Sequence, residues 1–217
     1  DVFGPVLHEG YGSTETGMVA GMKPEDHFRK PGASGQPYED VEIEIRDENG
    51  RPCTCGEVGE IWASTPVVIT SYLNAPPLGE DTRDARGFFR TGDMGRLDED
   101  GFLYITDRAK DMIISGGVNI YPAEIESAFY QHPGLLDIAV VGLPDEEFGE
   151  KVVAYYESRD GQPIAEGELA ALGQSHLASY KRPRDFVHVA ELPRNAVGKI
   201  LKRELRQPHW NNQERNV

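Results

Sequence analysis

The fold is decided by one stretch, residues 101–126, which reads GFLYITDRAKDMIISGGVNIYPAEIE. Its first part, 103–106, is rich in β-prone residues and predicts a strand. The charged tetrad 107–110 is too polar and too short to be a buried element. A second apolar run, 112–114, predicts another strand, which a glycine pair ends. The stretch therefore predicts a strand, a charged joint and a strand before a helix begins near Pro122.

The charged joint is typical of a hinge between two bodies. The glycine pair, Gly116 and Gly117, lets a ligand approach the backbone closely because neither residue has a side chain. The same residues are equally compatible with a charged hairpin on a protein surface, so the hinge hypothesis depends on other motifs in the chain.

Three further short motifs accompany this stretch. They are YGSTETG at 11–17, RTGD at 90–93 and PRNAVGKI at 193–200. Four signatures in this order resemble the adenylate-forming superfamily, which contains acyl- and aryl-CoA synthetases, luciferases and peptide-synthetase adenylation domains. The resemblance runs from about residue 6 to about residue 205. Independent short matches in a fixed order are far more specific than any one of them.

Charge and composition restrict the classes of partner. The net charge is −15, which argues against nucleic acid, yet residues 181–217 carry nine basic and four acidic side chains. That basic end is either a solvated helix face or an edge suited to the phosphates of ATP or CoA. No apolar run approaches the ~20 residues of a membrane span, so we expect no transmembrane segment.

The chain length allows one large or two small domains. We predict an α+β fold with a β-rich first part at 1–107, a hinge at 108–110 and a small α+β lid at 111–217. The chain begins without an initiator methionine, and we expect it to be a C-terminal fragment of a longer protein. Cys53 and Cys55 are interpreted as ordinary loop thiols, which suits a cytoplasmic location.

In the first part, residues 5–9 are predicted to form a short strand that leads into a tight loop at 11–17. Strict alternation at 41–46 and a matching run at 58–63 predict a hairpin. Asp93 is predicted to follow a glycine turn.

In the lid we predict two long helices, three apolar strands and a short terminal helix. Their ranges are 122–131 and 166–180, then 138–142, 152–156 and 186–189, and finally 198–206.

The motif at 11–17 offers three kinds of group to a nucleotide. Tyr11 has a flat aromatic face, Thr14 has a hydroxyl, and Glu15 has the hard oxygen that Mg²⁺ prefers. Without the other motifs, a hydrophilic Ser/Thr turn would be the better explanation. The resemblance implies that Tyr11 lies against adenine, that Gly12 is part of the nucleotide-binding site, that Thr14 meets the α-phosphate and that Glu15 holds magnesium.

The resemblance also implies roles for the other motifs. Asp93 and Arg108 would bind the ribose, and Ile105 would help to close the nucleotide pocket. Lys110 would be the hinge residue. Lys199 would be the adenylation lysine, which makes Lys199, Thr14 and Glu15 the predicted catalytic residues.

Four residues would face coenzyme A. The resemblance implies that pantetheine passes beside Gly116 and Gly117, and that Tyr180 and Arg182 contact the CoA nucleotide.

The family reaction joins a small carboxylic acid to ATP, releases pyrophosphate and then transfers the acyl group from AMP to a thiol. Because two anions must meet, catalysis depends on positioning and charge stabilisation, for which a lysine on a mobile loop is suited. We therefore expect an acyl- or aryl-CoA synthetase. Two alternatives remain, a silent fragment that only binds nucleotide or CoA, and an adenylation domain that loads a carrier protein. The family's upstream phosphate loop is missing, so we do not expect the fragment to adenylate alone.

Overall fold

The computed structural model describes residues 4–210. The chain forms two compact units, one ending at Ala109 and the other starting at Lys110. Both units mix antiparallel strands with short helices, so the predicted α+β class is confirmed. None of the helices in residues 4–210 combines the length and the apolar character needed to cross a bilayer.

The first unit opens with a small antiparallel sheet. Its strands are β1 (Glu9–Ser13), β2 (Gly17–Met22) and β3 (Gln36–Pro37), in that order, and α1 (Asp26–Arg29) lies between β2 and β3 in sequence. The strand predicted at 5–9 was wrong. The β1–β2 ladder runs from Glu9 opposite Met22 to Ser13 opposite Gly17, so residues 5–8 lie beyond the end of the partner strand.

A second sheet completes this unit. Its strands are antiparallel throughout and follow the chain order: β4 (Glu42–Arg46), β5 (Gly59–Ser64), β6 (Phe89–Leu97) and β7 (Leu103–Arg108). Ala20 of the first sheet shares a buried cluster with Ile45, Ile61 and Leu103 of the second.

Asp93 lies inside β6, so the prediction that it follows a turn was wrong. Gly92 does have a positive φ of 74°. However, the β5–β6 register shifts between Glu60 and Trp62, so the glycine is absorbed as a bulge within the ladder. Arg108, which we expected in the hinge, is the last residue of β7 and pairs with Asp93.

The second unit is built on a five-stranded sheet. The strands are β8 (Ile113–Ser115), β9 (Val118–Ile120), β10 (Leu135–Asp145), β11 (Gly149–Ser158) and β12 (Asp185–His188). Their order is β10-β11-β8-β9, and β12 runs parallel to β11. Gly116 and Gly117 connect β8 to β9 with φ of 58° and 79°, the backbone that two-residue hairpin turns of type I′ require.

Both faces of this sheet carry buried clusters, because successive side chains of β10 and β11 point to opposite faces. On one face, Ile138 and Val140 pack with Ile125 and Phe129 of α2 (Pro122–Phe129) and with α3 (Glu166–His176). The other face packs against the chain near the C-terminus. The buried residues there are Ala139, Val141, Leu143, Val153, Tyr155 and Leu192.

The terminal helix, α4 (Lys202–Arg206), begins four residues later than predicted. The amide groups of Val197 and Lys199 donate to the side-chain oxygen of Asn195, and Gly198 has a φ of 83°. These contacts hold residues 195–199 in a tight turn instead of a helix. Lys199 is therefore on a hairpin turn, and the last seven residues of the predicted lid lie outside the described residues.

Candidate active site

Three predicted nucleotide-binding residues of the first unit meet, because Tyr11 and Arg108 both contact the carboxylate of Asp93. The Tyr11 hydroxyl donates to Oδ2 of Asp93 at 2.8 Å. Arg108 Nε lies 3.2 Å from Oδ1 of the same residue. β1 supplies the tyrosine, β6 the aspartate and β7 the arginine, so the two sheets of the unit together build this cluster.

A bulge in β7 also brings Ile105 to the face of the sheet that carries Asp93 and Arg108. Asp93 pairs with Arg108 and Gly95 pairs with Ile105, with a register shift between them. Since Asp93 and Gly95 are two residues apart on β6, their partners share one face of the sheet. Ile105 is 38% exposed there.

Tyr11 is held as a hydrogen-bond donor. Its ring packs against the buried cluster around Ile61. Burial raises the pKa of the phenol well above its ordinary value, and the neighbouring Asp93 carboxylate raises it further. The phenol is therefore protonated throughout the physiological pH range, while one side of its ring is already in contact with the core.

Thr14 and Glu15 lie on the turn between β1 and β2, which is tied together by hydroxyl groups. Ser13 Oγ accepts hydrogen bonds from the amides of Glu15 and Thr16, each at 3.2 Å. Thr65 Oγ1 donates to the carbonyl of Thr16 at 2.7 Å. Thr14 is exposed at the tip of this turn.

The Glu15 carboxylate is kept ionised. Its own backbone amide lowers its pKa most, and the Tyr72 hydroxyl, which donates to Oε1 at 3.0 Å, lowers it further. Sequence reasoning missed Tyr72, because it lies in the irregular connection 65–88, where no pattern marks one residue above another.

A magnesium site here would depend on Glu15. Within residues 4–210, no group of three or more His, Cys, Asp or Glu side chains could hold a metal ion. Mg²⁺ in nucleotide sites is bound by one or two carboxylates together with phosphates and water. A single ionised carboxylate beside the predicted α-phosphate residue, Thr14, fits that mode.

Lys199 projects from a hairpin turn in the second unit. The turn closes through Asn195, whose amide donates to the Lys199 carbonyl at 2.9 Å. Lys199 is exposed. Among the hydrogen bonds and ion pairs of the described residues, none involves its ammonium group, which leaves this cation available to a ligand.

The Lys199 turn is also tied to the sheet. Arg194 Nη1 donates to the carbonyl of Gly198 at 3.2 Å. Arg194 Nη2 pairs with Asp137 Oδ2 at 2.7 Å and with Glu157 Oε1 at 3.2 Å. Sequence reasoning missed both carboxylates. Glu157 follows the apolar run of β11 directly, and a buried carboxylate in that position signals a cationic partner.

Lys110 lies in a short 3-10 turn, Ala109–Asp111. Arg206 of α4 donates to the Lys110 carbonyl at 3.1 Å and pairs with Asp111 at 3.0 Å. Both side chains of that ion pair are largely buried. The backbone that follows Lys110 is thus fastened to the second unit.

The predicted CoA residues lie on two parts of the second unit. Gly116 and Gly117 form the exposed tip of the β8–β9 hairpin, and the Gly116 amide donates to the Phe148 carbonyl at 2.8 Å. Tyr180 is 52% exposed. Arg182 Nε donates to the Leu177 carbonyl at 2.9 Å, so this arginine caps the C-terminal end of α3.

Comparison with known proteins agrees with these motifs. The AMP-binding enzyme family matches residues 1–73, and the AMP-binding enzyme C-terminal domain matches residues 124–199. The chain is 41% identical over 204 residues to the long-chain-fatty-acid–CoA ligase FadD13 of Mycobacterium tuberculosis, covering 93% of this chain and 40% of that protein. It is 40% identical over 213 residues to the fatty acid–[acyl-carrier-protein] ligase ScoC of Streptomyces coeruleorubidus, covering 95% and 40%.

A solved structure is similar over the same extent. The o-succinylbenzoate CoA synthetase MenE of Bacillus subtilis, in complex with the acyl-adenylate intermediate OSB-AMP, gives a TM-score of 0.84 at 40% identity. The match covers 91% of this chain and 40% of that one. The same protein in complex with ATP and magnesium gives a TM-score of 0.83. This chain thus spans about two fifths of the length of the proteins it matches.

Proposed function

Since the chain belongs to the AMP-binding enzymes, we propose that it is the C-terminal part of an ATP-dependent acid–thiol ligase that acts through an acyl-adenylate. The observation that carries this proposal is the Asp93 cluster. Two motif residues far apart in sequence, Tyr11 and Arg108, both contact the Asp93 carboxylate. The chain that builds this cluster is 40% identical to a synthetase solved with its acyl-adenylate.

The first unit would bind the nucleotide. Asp93 accepts hydrogen bonds from the two ribose hydroxyls, and a carboxylate has lone pairs enough to do so while it keeps Tyr11 and Arg108. Ile105 on the same face covers the apolar side of the nucleoside. Gly12 and the open side of the Tyr11 ring lie against adenine.

Thr14 and Glu15 would bind the phosphate end. The Thr14 hydroxyl donates to the α-phosphate. Magnesium held by Glu15 and the phosphates of ATP would supply positive charge where the carboxylic acid meets the triphosphate. The lowered pKa of Glu15 supports this role, because it favours the ionised carboxylate that Mg²⁺ binds.

Lys199 would stabilise the charge that develops as the substrate carboxylate attacks the α-phosphate. Two anions approach each other in this step, so a preorganised cation lowers the barrier. The exposed ammonium group on a fixed turn supports the assignment. The thioester-forming step, in which a thiol displaces AMP, does not bring two such anions together.

The hinge and the thiol side complete the proposal. Lys110 would let the second unit change orientation between the two half-reactions. The pantetheine arm would pass the exposed backbone of Gly116 and Gly117, and Tyr180 and Arg182 would lie beside the CoA nucleotide. The site of action would be the cytoplasm.

The test is Lys199→Ala in the full-length protein, with both half-reactions measured separately. Adenylation is measured by pyrophosphate exchange. We expect the variant to lose a few kcal/mol of transition-state stabilisation in this step, about the effect of removing one oxyanion donor or more. Thioester formation from supplied acyl-AMP should be unchanged. Lys151→Ala, which removes an exposed ion pair with Asp185, is the matched control. Equal loss in both half-reactions, or no loss, contradicts the assignment.

A second candidate is an adenylation domain that loads a carrier protein. The similarity to ScoC, whose name specifies an acyl-carrier-protein acceptor, supports it. Offering the adenylated enzyme CoA and a phosphopantetheinyl carrier in parallel separates the two, since a ligase for CoA leaves the carrier unloaded. A third candidate, a chain that only binds nucleotide or CoA, predicts AMP or CoA binding without pyrophosphate exchange in the full-length protein.

A further inference from the structure

We propose that Arg194 is a positioning residue that holds the Lys199 turn at a fixed place on the second unit, through the carboxylates of Asp137 and Glu157. The inference rests on the proposed function of Lys199. It adds a requirement that the lysine be anchored to the sheet as well as present on the turn.

The turn has two separate sets of contacts. The first is internal, because Asn195 closes the turn with hydrogen bonds to Val197 and Lys199. The second is external: Arg194 supplies its hydrogen bonds and ion pairs, and the neighbouring Ile200 packs against the buried cluster that contains Leu192. Without Arg194 the turn would keep its internal hydrogen bonds and the packing of Ile200, yet its tip would lose its polar contacts with the sheet and could shift relative to it. Lys199 would then retain its local conformation and lose its position.

The anchor points are themselves well fixed. Asp137 is on β10 and Glu157 on β11, two strands that are paired along ten registered residue pairs. Glu157 Oε1 also accepts the amide of Leu192 at 2.6 Å, and the glutamate side chain is 8% exposed. The carboxylates that hold the guanidinium thus belong to the most extensively paired part of the unit.

Asp137 is poised to remain a carboxylate. Burial acts to raise its pKa, but the hydrogen bonds that it accepts from Tyr130 and Arg194 outweigh burial and lower it. Asp137 is therefore suited to pair with the Arg194 guanidinium at neutral pH.

Only an arginine can make this set of contacts at once. Its planar guanidinium directs one nitrogen to the Gly198 carbonyl and the other to the two carboxylates. A lysine at this position has one ammonium group on a flexible stem, which suits the carboxylates but not the carbonyl as well. Arg194→Lys should therefore preserve the charge pair and lose part of the anchoring.

The first experiment measures the position of the turn without any catalytic assay. In the 217-residue chain, we compare the ¹⁵N relaxation of the Val197, Gly198 and Lys199 amides in the wild type, Arg194→Gln and Lys151→Gln. We expect lower order parameters for these amides in Arg194→Gln and wild-type values in Lys151→Gln. A fourth protein, Arg194→Lys, should lie between Arg194→Gln and the wild type. The Lys151 variant removes an ion pair with Asp185 from β11, the strand that also carries Glu157, and within residues 4–210 Lys151 makes no ion pair with the turn. Unchanged order in Arg194→Gln overturns the inference.

The second experiment measures catalysis in the full-length protein. We expect Arg194→Gln to lower kcat of adenylation by about 10- to 100-fold, because small displacements of a reacting group have effects of that order. The KM for ATP should stay within about twofold of the wild type, and thioester formation from supplied acyl-AMP should stay at the wild-type rate. A merely destabilised protein would lose both half-reactions together. Arg194→Lys should recover part of the lost kcat.

The outcomes separate the two proposals. If Lys199→Ala leaves adenylation intact, the proposed function of Lys199 fails whatever Arg194 does. If Lys199→Ala abolishes adenylation but Arg194→Gln leaves kcat unchanged, the function stands and the positioning role of Arg194 is wrong.

Discussion

Replacing Tyr11 with Phe removes one hydroxyl from the Asp93 cluster and leaves the packing of the ring intact. Oδ2 of Asp93 then loses its 2.8 Å hydrogen bond, while Oδ1 keeps Arg108. A hydrogen bond to a charged group contributes about 1.5–3 kcal/mol. Water reaches Asp93, whose side chain is 16% exposed, and replaces part of that interaction. We expect the free energy of unfolding of the first unit to fall by about 1–2 kcal/mol.

The two tryptophans make the measurement specific to one unit. Trp62 lies in β5 of the first unit and Trp210 follows α4 in the second. In a Trp210→Phe background, Trp62 fluorescence during urea unfolding reports the first unit alone. Tyr72→Phe is the control, since it deletes an exposed hydroxyl–carboxylate contact with Glu15 and should cost only a few tenths of a kcal/mol.

A double-mutant cycle decides whether the Asp93 contact is the cause. Tyr11→Phe and Asp93→Ala are combined, and their interaction energy should be about 1 kcal/mol or more. An interaction energy near zero would refute the reasoning, because the loss in Tyr11→Phe would then come from elsewhere. So would a single-variant loss as small as that of Tyr72→Phe.

Two further predictions concern the joint and alkaline pH. Lys110→Pro fixes φ at about −65°. Arg206 fastens the backbone that follows Lys110, so the proline should trap the second unit in one orientation and abolish one half-reaction. Lys110→Ala should have a mild effect on both half-reactions. Equal losses with Ala and Pro in the separate assays would contradict the hinge role. The raised pKa of Tyr11 stabilises the fold fully below about pH 10, and this contribution is lost as the pH rises and the phenol of the unfolded chain ionises first. Trp62-monitored urea unfolding between about pH 9 and 11 should show a shallower decline in Tyr11→Phe than in the wild type, and parallel declines would be evidence against it.

Elements whose signal is local were predicted well from the sequence. The alternation in β4 and its turn residues Asn49 and Gly50 are contained in a few residues, and the observed strands begin and end within about one residue of expectation. The helix α2 was recognised for the same reason, since Pro122 begins it and Ile125 and Phe129 give its apolar face.

Elements set by a partner strand were predicted poorly. Gly92 indicates a turn when it is read alone, but pairing with β5 converts the turn into a bulge, so Asp93 remains in the ladder. The start of β1 is fixed by where β2 ends, which no residue in 5–9 encodes. These features depend on residues far away in sequence.

The contacts that hold the candidate site residues in place were the hardest feature to predict from the sequence. Arg194 was read as part of a motif, yet its partners Asp137 and Glu157 are 57 and 37 residues away and lie on different strands. Buried carboxylates at strand ends signal that a cation is needed without saying which one. Arg182 shows the converse, since its contact with the Leu177 carbonyl is local but is visible only once α3 is seen to end there.

The β8–β9 hairpin has a consequence for amide exchange. β8 pairs with β11 at a single position, Ser115 opposite Gly149, whereas β10 and β11 are paired almost end to end. Ile113 and Ile120 fix the base of the hairpin in the core, and its tip is exposed. We therefore expect amide protons at the tip to exchange through small local openings, and those at the centre of β10 and β11 to exchange through much larger ones. Opening at Gly116 and Gly117 should therefore cost less free energy than opening within β10 and β11.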